Sequence, residues 1–201
     1  MGENFNMEYG IVTDSRSDIR SGIGSEVRPD YGGDLATDTG VDLNARDSGN
    51  DTQLDSVLDN FKEDNWNDLS LEEQKQSMTD LADCVAADTG NENPPEIVFR
   101  DDMPDGSYGG YNPETNTMEI NENMLDDSKE AADTIAHEMW HAYQQQEASK
   151  VPPSEKGQEY QEGFDNYISP EYDFEEYENQ MVEAEAREYA QGFKDRLQKA
   201  A

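Results

Sequence analysis

Apolar side chains recur at helical spacing in three stretches of the chain. Met78, Leu81, Ala82 and Val85 line one face of a helix predicted over 70–87, opened by the capping-box pair Ser70 and Glu73 and closed by Thr89 and Gly90. Ala132, Ile135, Ala136, Met139, Trp140 and Tyr143 cover a wide arc of a second helix, about 128–147, with Asp127 as N-cap and Glu130 completing a capping-box pattern. Val182, Ala186, Tyr189, Ala190, Phe193 and Leu197 stripe a third, read as one long C-terminal helix over about 171–199. A short helix over 54–61 is predicted ahead of all three. Between the first and second helices the pattern changes. Residues 97–99, after Pro94 and Pro95, read as a short core strand, and 107–111 and 117–121 flank a five-residue turn, 112–116, as a hairpin. Met118 and Ile120 alternate with polar neighbours, so the hairpin buries one face. Residues 148–170, punctuated by Pro152, Pro153, Gly157, Gly163 and Pro170, read as a polar connection over a cleft or an idle surface loop. The order predicts an α+β fold: an N-terminal helix, a small three-stranded antiparallel or mixed sheet with a hairpin, a central helix and a long C-terminal helix.

The central helix carries the chemistry. The chain's two histidines, His137 and His141, stand four residues apart with Glu138 directly after the first, forming the pattern HExxH. Four residues advance a helix by about 400°, so both imidazoles share one face, a turn apart. Two neutral imidazoles at that spacing can share one zinc ion. Glu138 lies about 100° round the helix from His137, beside the ion rather than on it, where a general base belongs.

A catalytic zinc site takes three protein ligands. With both histidines used, the third is a carboxylate or the single cysteine, Cys84. Cys84 lies in the helical pattern among Leu81, Ala82 and Val85, as a buried thiol of the core, and is the poorer ligand candidate. Among the carboxylates of the C-terminal helix, Glu183 lies about 60° from the centre of the apolar stripe and Glu185 about 100°. Glu183 also shares a face with Ala186 and Ala190, whose small side chains let two helix backbones approach. Glu183 is the predicted third ligand. Glu185 is held in reserve, as a ligand or as an acceptor for an imidazole N–H. Tyr160, Tyr167, Tyr172 and Tyr189 are all candidates to stabilise an oxyanion, and the sequence does not choose among them.

HEMWH followed downstream by Glu183, Ala184, Glu185, Ala186, Arg187, Glu188, Tyr189 and Ala190 resembles the small gluzincin zinc metallopeptidases, the minigluzincin and ImmA/IrrE-like group. Arg187 and Tyr189 stand where that group often has Asn and Phe. The resemblance covers roughly residues 68–198 and implies a zincin-like core. By it His137, His141 and Glu183 would bind one zinc ion, and Glu138 would be the catalytic base of a metalloendopeptidase acting on a peptide or protein substrate. It also implies that the strand before the active-site helix, Thr117, Met118, Glu119 and Ile120, offers its edge to an extended peptide.

Composition sets the surroundings of this site. Acidic side chains number 48 against 14 basic, a net charge of −34, which speaks against nucleic acid and anionic membrane as partners and favours solubility or a basic substrate. Residues 1 to about 50 hold eight of the fifteen glycines and no sustained periodicity. Residues 1–51 therefore read as a disordered or loosely attached acidic arm, and 52–201 as the metallopeptidase domain. The N-terminal residues lack the basic and apolar regions of a secretory signal, and no stretch approaches a membrane span. The expected compartment is cytoplasmic, although a leaderless export route leaves no mark in a sequence. Two rivals share these features: a non-catalytic regulatory or interaction module that binds zinc, and a toxin or effector protease with the same chemistry.

Overall fold

The computed structural model describes residues 48–104, 106–170 and 172–200. The arm predicted over 1–51 lies almost wholly outside them. The described chain runs α1 (Ser48–Asp59), α2 (Glu63–Asp68), α3 (Leu71–Thr89), β1 (Glu96–Arg100), β2 (Gly109–Asn112), β3 (Thr117–Asn121), α4 (Ser128–Ala148), α5 (Glu155–Asp165), α6 (Phe174–Asn179) and α7 (Met181–Ala200). The fold is α+β, mostly helical, with one small mixed sheet.

The helices form where their caps and apolar faces place them. Ser70 and Glu73 make the reciprocal capping box at the start of α3, and Gly90 ends it in the left-handed region, φ 69°. Asp127 caps α4 by accepting from Lys129 N and Glu130 N. The Glu130 side chain turns to Lys194 of α7, 2.9 Å away. Met78, Leu81, Ala82 and Val85 of α3, Ile135, Ala136, Met139 and Trp140 of α4, and Ala186, Tyr189, Ala190, Phe193 and Leu197 of α7 are buried together in one core. Leu54 and Leu58 of α1 join it, so that helix begins ahead of the boundary drawn at residue 52. Trp66, the buried residue of α2, stacks on Phe61 and donates to the Leu125 carbonyl. Neither α2 nor α5 is among the expected elements. Cys84 is half-buried against the core rather than enclosed by it.

The sheet corrects one expectation outright. Its order is β1-β3-β2, with β3 parallel to β1 and antiparallel to β2. Thr117, Met118, Glu119 and Ile120 therefore lie on the central strand, with neighbours on both sides, and offer no edge to a peptide. The parallel partner, residues 96–100, comes from 21 residues upstream, and such non-local pairing leaves no local trace in the hairpin. β1 is correspondingly an outer strand, with Ile97 and Phe99 half-buried, rather than a core strand. The other outer strand, β2, packs on α4: a Cβ on Gly109 would stand 2.9 Å from Thr134 Cγ2.

The C-terminal third differs from its expected form twice. The polar connection holds α5, capped by Ser154, which accepts from Gly157 N at 2.9 Å. Its glycines are packing positions: a Cβ on Gly157 would run into the Glu147 carbonyl oxygen of α4, and one on Gly163 would lie 3.0 Å from Val182 Cγ1 of α7. The expected single last helix is two, because Gln180 is extended, φ −63° and ψ 141°, between α6 and α7. Its side chain accepts from Ile168 N at 2.7 Å and donates to Ile168 O at 2.8 Å. That tertiary pair holds the break, which no Gly or Pro announces.

Gly157→Ala is expected to push α5 off the end of α4 and to destabilise the protein by about 1–3 kcal/mol. Urea unfolding measures it, and an unchanged midpoint would contradict the close contact.

Candidate metal centre

His137 and His141 project from α4 toward α7, where Glu183 occupies the first turn. Ala186 and Ala190 are fully buried one and two turns further on, and Tyr189 stacks on Trp140 of α4 with ring centroids 4.4 Å apart. Small residues on this face and the stacked pair together bring the helices close enough for Glu183 to reach both imidazoles. His137 Nε2 and His141 Nε2 are 3.1 Å apart, His141 Nε2 lies 3.4 Å from Glu183 Oε1, and His137 Nε2 lies 3.5 Å from Glu183 Oε2. Among the described residues these three form the group of His, Cys, Asp or Glu side chains placed to hold a metal ion. Donors about 2.0–2.1 Å from a tetrahedral ion stand roughly 3.3 Å from one another, close to the separations found here. Glu183 Oε2 is buried without a hydrogen-bond partner, as a ligand oxygen awaiting a cation would be.

The protonation of the site follows from its partners. Gln144 Nε2 donates to the Val182 carbonyl at 3.0 Å, so its Oε1 faces His141 Nδ1, 2.9 Å away, and must accept. His141 therefore carries a proton on Nδ1 and turns Nε2 to the centre. Gln144, fully buried and three residues after His141, escaped the sequence reading; its place on the histidine face of the helix was the available signal.

Burial on its own would lower the pKa of His141. The adjacent Glu183 carboxylate, with Glu138 adding to it, outweighs this and pushes the pKa up to about 9. Burial likewise works to raise the pKa of Glu183, but His141 and His137 hold its carboxyl well below the usual range. Glu138 is fully buried beside them.

The other candidates go elsewhere. Glu185 faces α5, not the imidazoles: it accepts from Tyr160 OH at 2.8 Å and Lys156 Nζ at 2.6 Å. Tyr189 OH donates to Asp88, and Tyr172 is 88% exposed. Of the four tyrosines, Tyr167 is the one whose hydroxyl donates to Glu183, at 2.8 Å. Cys84, on α3, is outside the group. No described helix is long and apolar enough to cross a membrane.

Comparison of the chain with protein-family models, curated proteins and solved structures finds no match. The chemistry of the centre therefore has to speak for its use.

In the metal-free protein the His141 pKa is raised above its ordinary 6.5, so its contribution to stability is fully present below about pH 6.5 and lost as pH rises through about 9. A metal ion competes with that proton. Zinc affinity should rise over this window, with release of about one proton per ion bound. Calorimetry in two buffers of different ionisation enthalpy measures the release, and a pH-independent affinity would contradict it.

Proposed function

We propose that the chain is a zinc-dependent metallopeptidase of the small gluzincin kind, with His137, His141 and Glu183 as ligands and Glu138 as general base. The observation that carries this reading is the convergence of two imidazoles and one carboxylate, buried and at mutual distances that suit one tetrahedral ion. Zinc in such a site polarises a carbonyl and activates water near neutral pH. Glu138 takes the proton of the attacking water and passes it to the leaving amine. The Gln144 amide keeps His141 in the tautomer that presents Nε2. A substrate strand would pair with an outer strand of the sheet, since β3 has both neighbours already.

A non-catalytic zinc module is the second reading, favoured by one observation: the three ligands and Glu138 are each no more than 4% exposed. Two features weigh against it. Structural zinc sites are almost always closed by four protein ligands, whereas three converge here among the described residues. A structural site also has no use for a buried glutamate directly after the first histidine.

Metal analysis of protein purified without chelators should find about one zinc per chain. Glu138→Gln should keep that zinc and lose about 10²–10⁴-fold in hydrolysis of a fluorogenic peptide library. Wild-type protein that takes up zinc yet cleaves nothing would favour the module over the enzyme.

A further inference from the structure

We infer that Tyr167 is a positioning residue of the metal centre: its hydroxyl engages Oε1 of Glu183, so that the carboxylate meets the ion through Oε2 alone. The inference rests on the reading of the centre as a zinc site. A carboxylate can bind a cation through one oxygen or both, and which it does depends on what holds its other oxygen. Here the two oxygens differ. Each faces one imidazole, Oε1 3.4 Å from His141 Nε2 and Oε2 3.5 Å from His137 Nε2, but Oε1 also accepts from Tyr167 OH at 2.8 Å, whereas Oε2 is buried with no hydrogen-bond partner.

Tyr167 is held where it is by the same pair that separates α6 from α7. The backbone of the next residue, Ile168, makes the two-point bond to the Gln180 side chain, 2.7 and 2.8 Å. Gln180 immediately precedes α7 and lies three residues before Glu183. The residue that ends α6 thus also ties the backbone beside Tyr167 to the helix whose glutamate it engages. The Tyr177 ring, edge-on to Tyr167 with centroids 6.2 Å apart, supports it from the side. Upstream, α5 is seated by the close approach of Gly157 to Glu147 and by the bonds of Lys156 and Tyr160 to Glu185. Tyr167 therefore approaches Glu183 from a segment anchored at both ends.

Tyr160 provides an internal control. Its hydroxyl makes the same kind of bond, 2.8 Å long, to a buried glutamate of the same helix, but that glutamate is not among the converging ligands. The test compares the full-length wild type with Tyr167→Phe and Tyr160→Phe. Zinc affinity is read by competition with a chromophoric chelator, and coordination by the visible d–d spectrum after loading with Co²⁺. Tyr167→Phe should weaken zinc binding about 10–100-fold, as loss of a hydrogen-bond partner of a ligand does. Its cobalt bands should weaken as the second carboxylate oxygen joins the ion. Tyr160→Phe, which removes one of several contacts that seat α5, should lose far less zinc affinity than Tyr167→Phe and keep the wild-type cobalt bands. Wild-type affinity in Tyr167→Phe, or an equal loss in Tyr160→Phe, would overturn the inference while leaving the zinc site standing. Wild-type protein that takes up neither ion would overturn the zinc reading and this inference with it. Should Tyr167→Phe not fold, Gln180→Ala carries the test: it releases the neighbouring backbone without touching the hydroxyl and should weaken zinc in the same direction, and unchanged affinity there would overturn the inference equally.

Discussion

A carboxylate shut away from water must be compensated where it lies, and Glu183 lies against the two imidazoles of α4, 3.4 and 3.5 Å away. That requirement ties the fold to its chemistry. The three groups converge only if α4 and α7 lie close, and the helices lie close because Ala186 and Ala190 occupy the seam while Trp140 and Tyr189 stack beside it. Without an ion, His141, whose pKa the Glu183 carboxylate raises, supplies the positive charge by holding a proton. A divalent cation would supply it better and remove the need for that proton. Buried ion pairs are poor sources of stability, so this cluster is weak evidence for a stabilising role.

The elements around the pair serve the same constraint. The Gln144 amide, locked by the Val182 carbonyl of α7, sets the tautomer of His141, so the helix that brings Glu183 also orients His141. α5 fills the groove between α4 and α7 and sends Tyr160 to Glu185 and the following segment to Glu183. Two glutamates two residues apart on one helix thus take different work. Glu183 faces the histidines, and Glu185 fastens the covering helix through a lysine and a phenol. The mixed sheet supports α4 from the other side, with Gly109 allowing β2 to come close to Thr134, one turn before His137.

Much of this was legible in the chain. HExxH identified the face of α4, and the small residues at 186 and 190 singled out Glu183 over Glu185 through their angular positions on a regular helix. The apolar stripes of α3, α4 and α7 marked the residues that form the core. Elsewhere local pattern misled. Gly157 and Gly163 looked like loop formers, yet they are the positions at which α5 touches its neighbours. Residues 171–199 carried an unbroken helical pattern, yet Gln180 leaves the helix to bond Ile168. The hairpin strand 117–121 showed its alternation but not that β1 would close its free side.

The division follows the range of the forces involved. Helix faces, caps and the pairing of His137 with His141 depend on neighbours within a turn or two, so residue order alone determined them. Which tyrosine met Glu183 and which strand lay at the centre of the sheet depended on groups far apart in the chain. Those were decided only when packing brought distant surfaces together, because a contact across that separation has no periodic signature in the chain that makes it.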